Sequence, residues 1–148
     1  MNPRERAYVA LGGNLGDREG YLARALAALA KLPLTTMLGV SKLEETDPVG
    51  PPGQGRYLNQ MALLETSLDP GRFLKLLQKI EDENGRTRGE KWGPRTLDLD
   101  IVRFGTRRLR DPDLRLPHAE LPNREWWQRE MEELDAVYPV KGDADDDE

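Results

Sequence analysis

Hydrophobic positions along this chain keep two rhythms, a period of two and a period near 3.6, and the switches between them outline the elements. Residues 6–11, RAYVAL, predict a short strand, followed by a turn at Gly12, Gly13, Asn14, Leu15 and Gly16. From Asp17 to Leu32 the apolar Leu22, Ala25, Leu26, Leu29 and Leu32 recur at helical spacing, and Pro33 stops the run. A weaker strand is expected over 36–46. Pro48, Gly50, Pro51, Pro52, Gly53 and Gly55 then crowd one loop, and residues 57–66 resume as a strand. Asp69 before Pro70 pairs a capping carboxylate with a proline at the first helical position, so a helix should run to about Asn84 with Gly85 as its stop. After an Arg-rich loop over 86–95 come a strand over 96–104, a turn at Gly105, an irregular stretch through Pro117 and a polar helix from about Asn123 to Asp135.

This order, β-α-β-β-α-β and then an extension, predicts an α+β fold. It matches a ferredoxin-like split βαβ sandwich, an antiparallel sheet with helices on one face plus a C-terminal helical extension. The other sheet face is then expected to be free for binding. At 148 residues the chain fits one domain, taken as residues 1–140, with the acidic end 141–148 as a disordered tail. Cysteine is absent, which excludes disulfides, thiolate metal sites and a cysteine nucleophile. Apolar stretches fall short of a membrane span and MNPRER lacks the apolar core of a signal peptide, so no membrane partner and a cytoplasmic location are expected.

Within 96–104, Leu97, Leu99 and Ile101 alternate with Asp98 and Asp100, which sends the apolar side chains to one face and both carboxylates to the other, about 7 Å apart. Aspartate is depleted in strands and like charges there cost stability, so the pair calls for an explanation. One is a hard divalent cation such as Mg²⁺, bound through one or two carboxylates plus substrate phosphates; the other is a sheet face simply open to water. The surrounding charge bears on the choice. The formal charge of -5 is concentrated in residues 141–148, which carry five acids and one lysine. Residues 86–115 hold nine Lys or Arg against five acids, which suits a compact anionic ligand better than a nucleic acid.

Other residues extend the set. On helix 69–84, Glu81 falls inside the apolar arc of Phe73, Leu77 and Ile80, so it needs a partner; Gln78 borders it, although both could instead cap local backbone. Arg86, Arg88 and Arg95 offer planar forks for phosphate oxygens and Trp92 a flat face, in what could otherwise be a solvated basic loop. His118 is the only histidine, structural or functional, and Tyr57 and Asn59 share one strand face, for packing or for reading a heterocycle. Gly12 to Gly16 lacks a following GK[ST], so it is not a P-loop.

Together YVALGGNLGD, YLN at 57–59, WGPRTLDLDI, PH at 117–118 and NR at 123–124 resemble the 6-hydroxymethyl-7,8-dihydropterin pyrophosphokinase family of folate biosynthesis, across roughly residues 6–124. The resemblance implies transfer of the terminal diphosphoryl group of ATP to the pterin's hydroxymethyl oxygen, leaving AMP, in a monomer with no nucleic-acid partner. By position it implies that Asp98 and Asp100 hold two Mg²⁺, with Arg86 and Arg95 neutralising charge at the β-phosphorus. It places the pterin against Thr46, Pro48, Val49, Tyr57, Asn59, Trp92 and Trp126. ATP would meet Leu74, Gln78, Glu81, Arg86, Arg88, Trp92, Arg95, Ile101, Arg115, His118 and Arg124. The C-terminal EWWQREMEELDAVYPV is more polar than the family's usual run, and Asp113 stands where an ATP-contacting arginine can occur. A binding module derived from such an enzyme, or an RNA-recognition sheet, are the rival readings; the second would place aromatics where Asp98 and Asp100 stand.

Overall fold

The computed structural model describes residues 3–48, 50–85 and 95–140. Its elements run β1 (Glu5–Gly13), α1 (Arg18–Ala30), β2 (Thr35–Val40), β3 (Glu44–Thr46), β4 (Tyr57–Thr66), α2 (Pro70–Glu83), β5 (Asp98–Phe104), β6 (Leu109–Arg110), β7 (Arg115–Leu116) and α3 (Glu125–Val137), the last preceded by a 3₁₀ turn at Leu121–Asn123. The central sheet has the order β2-β4-β1-β5, with β3 also on β4, and every pairing is antiparallel. Thus β1 and β2, joined through α1, flank β4, while β4 and β5, joined through α2, flank β1. The expected α+β class stands.

Caps fix the two crossover helices as the sequence implies. Asp17 accepts a hydrogen bond from Gly20 N and Asp69 one from Arg72 N, with Pro70 at the helix start and Gly85, at φ 77°, just past its end. Their apolar stripes, Leu22, Ala25 and Leu29 of α1 with Phe73, Leu77 and Ile80 of α2, bury against Val9, Leu11, Leu64, Leu99 and Ile101 of the sheet. Each large side chain so buried contributes about 1.5–3 kcal/mol, which makes this layer the main source of stability.

Three expectations change. The strand expected at 36–46 is two strands, because β4 pairs with residues 35–40 and 44–46 while Ser41 bridges the gap. Ser41 N donates to Met61 O and its hydroxyl accepts from Met61 N, so side chain replaces ladder there. Next, β1 runs on through Gly12 and Gly13, which lie in register with Asn59 and Leu58; a Cβ on Gly13 would strike the Thr96 carbonyl, so the glycine permits the close approach. Finally, the second sheet face is not free. Trp127, Met131 and Leu134 of α3, spaced i, i+4, i+7, cover Tyr8, Ala10, Met61, Leu63 and Val102. Only the end of that face bearing Asp98 stays open. The stretch expected to be irregular before Pro117 also contains the β6–β7 hairpin. Among the described residues no helix is long and apolar enough to cross a membrane.

Candidate active site

Two rows of paired residues build the open end of the sheet. In the first, Asn59, Gly12 and Asp98 lie in register across β4, β1 and β5; in the second, Met61, Ala10 and Asp100 do so. Neighbouring strands are about 4.8 Å apart, so Asn59 and Asp98 flank a trough about 10 Å wide whose floor is a glycine. A Cβ at Gly12 would meet Asn59 Oδ1 at 3.2 Å and the Tyr57 ring at 3.7 Å, and would fill that floor. The trough therefore has an amide and a phenol on one wall and two carboxylates on the other.

The carboxylate wall is half-exposed and faces an arginine and a histidine. Arg95 Nε lies 4.0 Å from Asp98 Oδ1, and His118 Nε2 lies 3.6 Å from Asp100 Oδ1. The histidine is held on three sides: its amide donates to Val102 O, its Nδ1 accepts from Glu120 N at 3.0 Å, and its ring meets Trp127 edge-on at 5.0 Å. Because Nδ1 is an acceptor, the ring proton sits on Nε2, facing Asp100. Arg124 lies over the same Trp127 ring at 4.5 Å. On the opposite wall Asn59 Nδ2 donates to Thr46 Oγ1 at 2.7 Å, which ties β3 to the trough. Burial pushes the Tyr57 phenol above its ordinary range and Asp98 pushes it further, while Arg95 and Arg124 oppose this. Those influences on one phenol place both walls within electrostatic reach of each other.

Glu81 has a definite partner. Strand β5 is last in the sheet, so amides on its outer edge face no further strand. The buried Glu81 carboxylate accepts from one of them, Leu99 N, at 2.7 Å. Leu99 sits between Asp98 and Asp100, so this bond from α2 fixes the backbone that carries both. The amide that Glu81 meets belongs to a strand eighteen residues away and not to the local backbone at the end of its own helix. Gln78 is half-buried; Leu74 and Ile101 pack in or against the helix-side core, on the face opposite the aspartates. Pro48 is half-buried and Arg115 exposed. Val49, Arg86, Arg88 and Trp92, like the tail 141–148, lie outside the described residues.

One residue of the site went unread in the sequence. Asn14, buried at the end of β1, exchanges backbone hydrogen bonds with the loop before β5: its N donates to Arg95 O and its Oδ1 accepts from Arg95 N at 3.0 Å. Its Nδ2 donates to Gln54 Oε1 and Gly55 O, so one amide joins the Pro-Gly loop to Arg95. The available signal was an asparagine directly after two glycines, a residue whose amide competes well for loop backbone.

The α3 side is less orderly. Trp126 is half-buried against the α3 layer and its indole N–H has no hydrogen-bond partner among the described residues. Glu130, on the same helix, is buried, and among the described residues neither of its carboxyl oxygens has a hydrogen bond of normal geometry. Burial, reinforced by nearby Glu44, pushes its acid up to about 9. It is a neutral carboxylic acid at physiological pH.

Residues 8–136 match the family model described as 7,8-dihydro-6-hydroxymethylpterin-pyrophosphokinase. The chain is 47% identical over 118 residues to the 2-amino-4-hydroxy-6-hydroxymethyldihydropteridine pyrophosphokinase of Bacillus subtilis, covering 80% of this chain and 71% of the relative. It is similar to the enzyme of the same name from Pseudomonas aeruginosa, at 47% over 81% of this chain and 74% of the relative. The same holds for that of Haemophilus influenzae, at 42% over 81% and 75%.

Proposed function

The chain belongs to the 7,8-dihydro-6-hydroxymethylpterin-pyrophosphokinase family, and we propose that it transfers the diphosphoryl group of ATP to the hydroxymethyl oxygen of 6-hydroxymethyl-7,8-dihydropterin. The observation that carries this reading is the trough with two carboxylates facing an amide and a phenol over a glycine floor. The substrate hydroxyl attacks the β-phosphorus as its proton leaves, the bond from that phosphorus to the α-phosphate oxygen breaks, and AMP departs. The work of such a site is positioning and charge stabilisation.

On this reading the Asn59 amide and the Tyr57 ring hold the pterin, Thr46 orienting the amide from behind. Pro48, Val49, Trp92 and Trp126 complete the pterin side by family position. Asp98 and Asp100 are hard oxygen donors on one wall, which fits Mg²⁺, and by family position they would hold two such ions together with the substrate phosphates. When bound, Mg²⁺ neutralises phosphate charge and lowers the pKa of the attacking hydroxyl. Arg95, with Arg86, places positive charge at the transferred group, and His118 steers the Asp100 carboxylate. Arg88, Gln78, Leu74, Ile101, Arg115 and Arg124 belong to the nucleotide side, and Glu81 serves it through Leu99 N. A monomer in the cytoplasm is the setting proposed.

The test is to incubate the protein with Mg²⁺, ATP and the reduced hydroxymethyl pterin and to separate the adenine nucleotides. AMP should form only when pterin is present; ADP, or no turnover from folded protein, refutes the assignment. Asp98→Ala and Asp100→Ala should each abolish turnover and leave the fold intact, since a like-charge pair is relieved. Near-normal activity in either variant refutes the metal role.

A further inference from the structure

The β6–β7 hairpin carries a charge pattern that folding alone opposes. Arg110 and Arg115 are directly opposite each other in the register, as are Leu109 and Leu116. Leu116 is buried in the helix-side core and Leu109 packs against it, so the hairpin turns its leucines inward and its arginines outward. Arg108, two residues before Arg110, has the same facing. Like charges directly opposite on paired strands cost stability. Here three guanidinium groups gather on one side of a two-residue ladder.

No carboxylate offsets them. Among the described residues the side chains of Arg108, Arg110 and Arg115 make no hydrogen bond and no ion pair, although Asp111 and Asp113 lie exposed in the connecting turn. Their neighbour Arg107 shows the contrast: it holds Glu5 with Nε and Nη2, at 2.8 Å for the shortest bond, and lies over the Phe104 ring at 5.7 Å. The run RRLR is therefore divided, with its first arginine spent on structure and the next two left with Arg115 to line a cavity. That cavity, of about 370 Å³ and open to solvent, is also lined by Leu116 and Pro117. Its size suits a small ligand, and guanidinium forks match phosphate oxygens two at a time. Pro117 leads into His118, so the cavity abuts the aspartate wall yet includes neither Asp98 nor Asp100.

We propose that the cavity lined by Arg108, Arg110 and Arg115 is an oxyanion site for a phosphate-bearing small molecule, filled independently of the nucleotide at Asp98 and Asp100. The anion relieves the repulsion between the cross-strand arginines and needs no divalent cation, because all three donors are permanently charged. This site does not depend on the reaction proposed above. By family position Arg115 also faces the nucleotide side, so the two sites meet at this residue.

The test uses inorganic diphosphate as probe, with EDTA present and nucleotide absent, followed through the arginine Nε–Hε resonances of the full chain. Diphosphate should shift the signals of Arg108, Arg110 and Arg115 in the wild type and in the double variant Asp98→Asn/Asp100→Asn, and less strongly as salt rises. Arg108→Gln/Arg110→Gln should weaken diphosphate binding at least tenfold while kcat and the KM for ATP change less than twofold. AMP as a second probe separates sources: a nucleotide monophosphate that displaces diphosphate identifies a nucleotide as the occupant, and one that does not leaves free phosphates. Unchanged diphosphate affinity in the arginine variant overturns the proposal, as does binding lost with the two aspartates. A KM for ATP that rises in step with the loss of diphosphate also overturns it, because the cavity then belongs to the reacting nucleotide's site. If turnover fails altogether but the arginine signals behave as stated, the oxyanion site stands and the reaction assignment falls.

Discussion

Glu81 in α2 and Glu130 in α3 are both buried carboxylic acids on the apolar stripe of a helix packed on the central sheet, one on each face. Glu81 accepts from Leu99 N, an amide that the outer edge of β5 would otherwise leave unpaired. Among the described residues Glu130 has a hydrogen bond of normal geometry to neither oxygen, with Glu44 of β3 and Glu133 of its own helix adding like charge and Arg129 opposing them. Burying a polar group is costly unless its bonds are replaced. The first glutamate converts that cost into a fixed backbone between two site aspartates. The second is tolerated by remaining protonated, so the docking of α3 carries a proton that unfolding releases.

The largest expected effect lies with Glu130. Its folded pKa, about 9, is above the ordinary value of 4.5, so between these values the folded chain holds a proton that the unfolded chain has lost. The stabilisation is whole below about pH 4.5 and is lost as pH rises towards 9, with a slope of up to about 1.4 kcal/mol per pH unit from this one group. Urea unfolding at a series of pH values should show the decline, and Glu130→Gln should flatten it. Parallel curves for the two proteins would break the comparison. Next comes Glu81→Ala, which orphans Leu99 N and should cost about 1–3 kcal/mol. Glu81→Gln keeps an acceptor and should lose less. If the bond positions the aspartates, the alanine variant should lose kcat at a pH where it is still fully folded, and the glutamine variant should recover part of it. Smallest is Tyr8→Phe. Tyr8 lies on the Glu130 side of the sheet but donates to Asp135, and its phenol is pushed up to about 12 by burial first and Asp135 second. Its removal should cost about 1 kcal/mol by thermal unfolding, and a gain in stability would place it with Glu130.

Local chemistry made some of this legible before any coordinates. Asp69 and Pro70 announced α2, and the alternation from Leu97 to Ile101 announced β5 with its aspartates outward. The glutamate on the α2 arc was flagged as needing a partner, because helical spacing alone puts it among Phe73, Leu77 and Ile80. Its partner was not, since a strand-edge amide is defined by sheet order, which lies beyond local pattern. The same limit hid the break at Ser41, whose hydroxyl completes a ladder with a strand twenty residues later. It also hid the side on which α3 docks, because a helix stripe shows that something is covered without showing what. Gly12 and Gly13 read as a turn for an opposite reason: glycine marks both a bend and a close approach, and only neighbouring strands distinguish them.

Asn14 has a consequence for how the site can move. With one side chain it is bonded to Gln54, Gly55 and the backbone of Arg95, segments forty residues apart in sequence. Two loops that share an anchor lose a degree of freedom: a shift of Arg95 strains the bonds that seat Gln54, and a shift of Gln54 strains those that seat Arg95. The Pro-Gly loop and the segment that carries Arg95 are thereby mechanically coupled through a single amide.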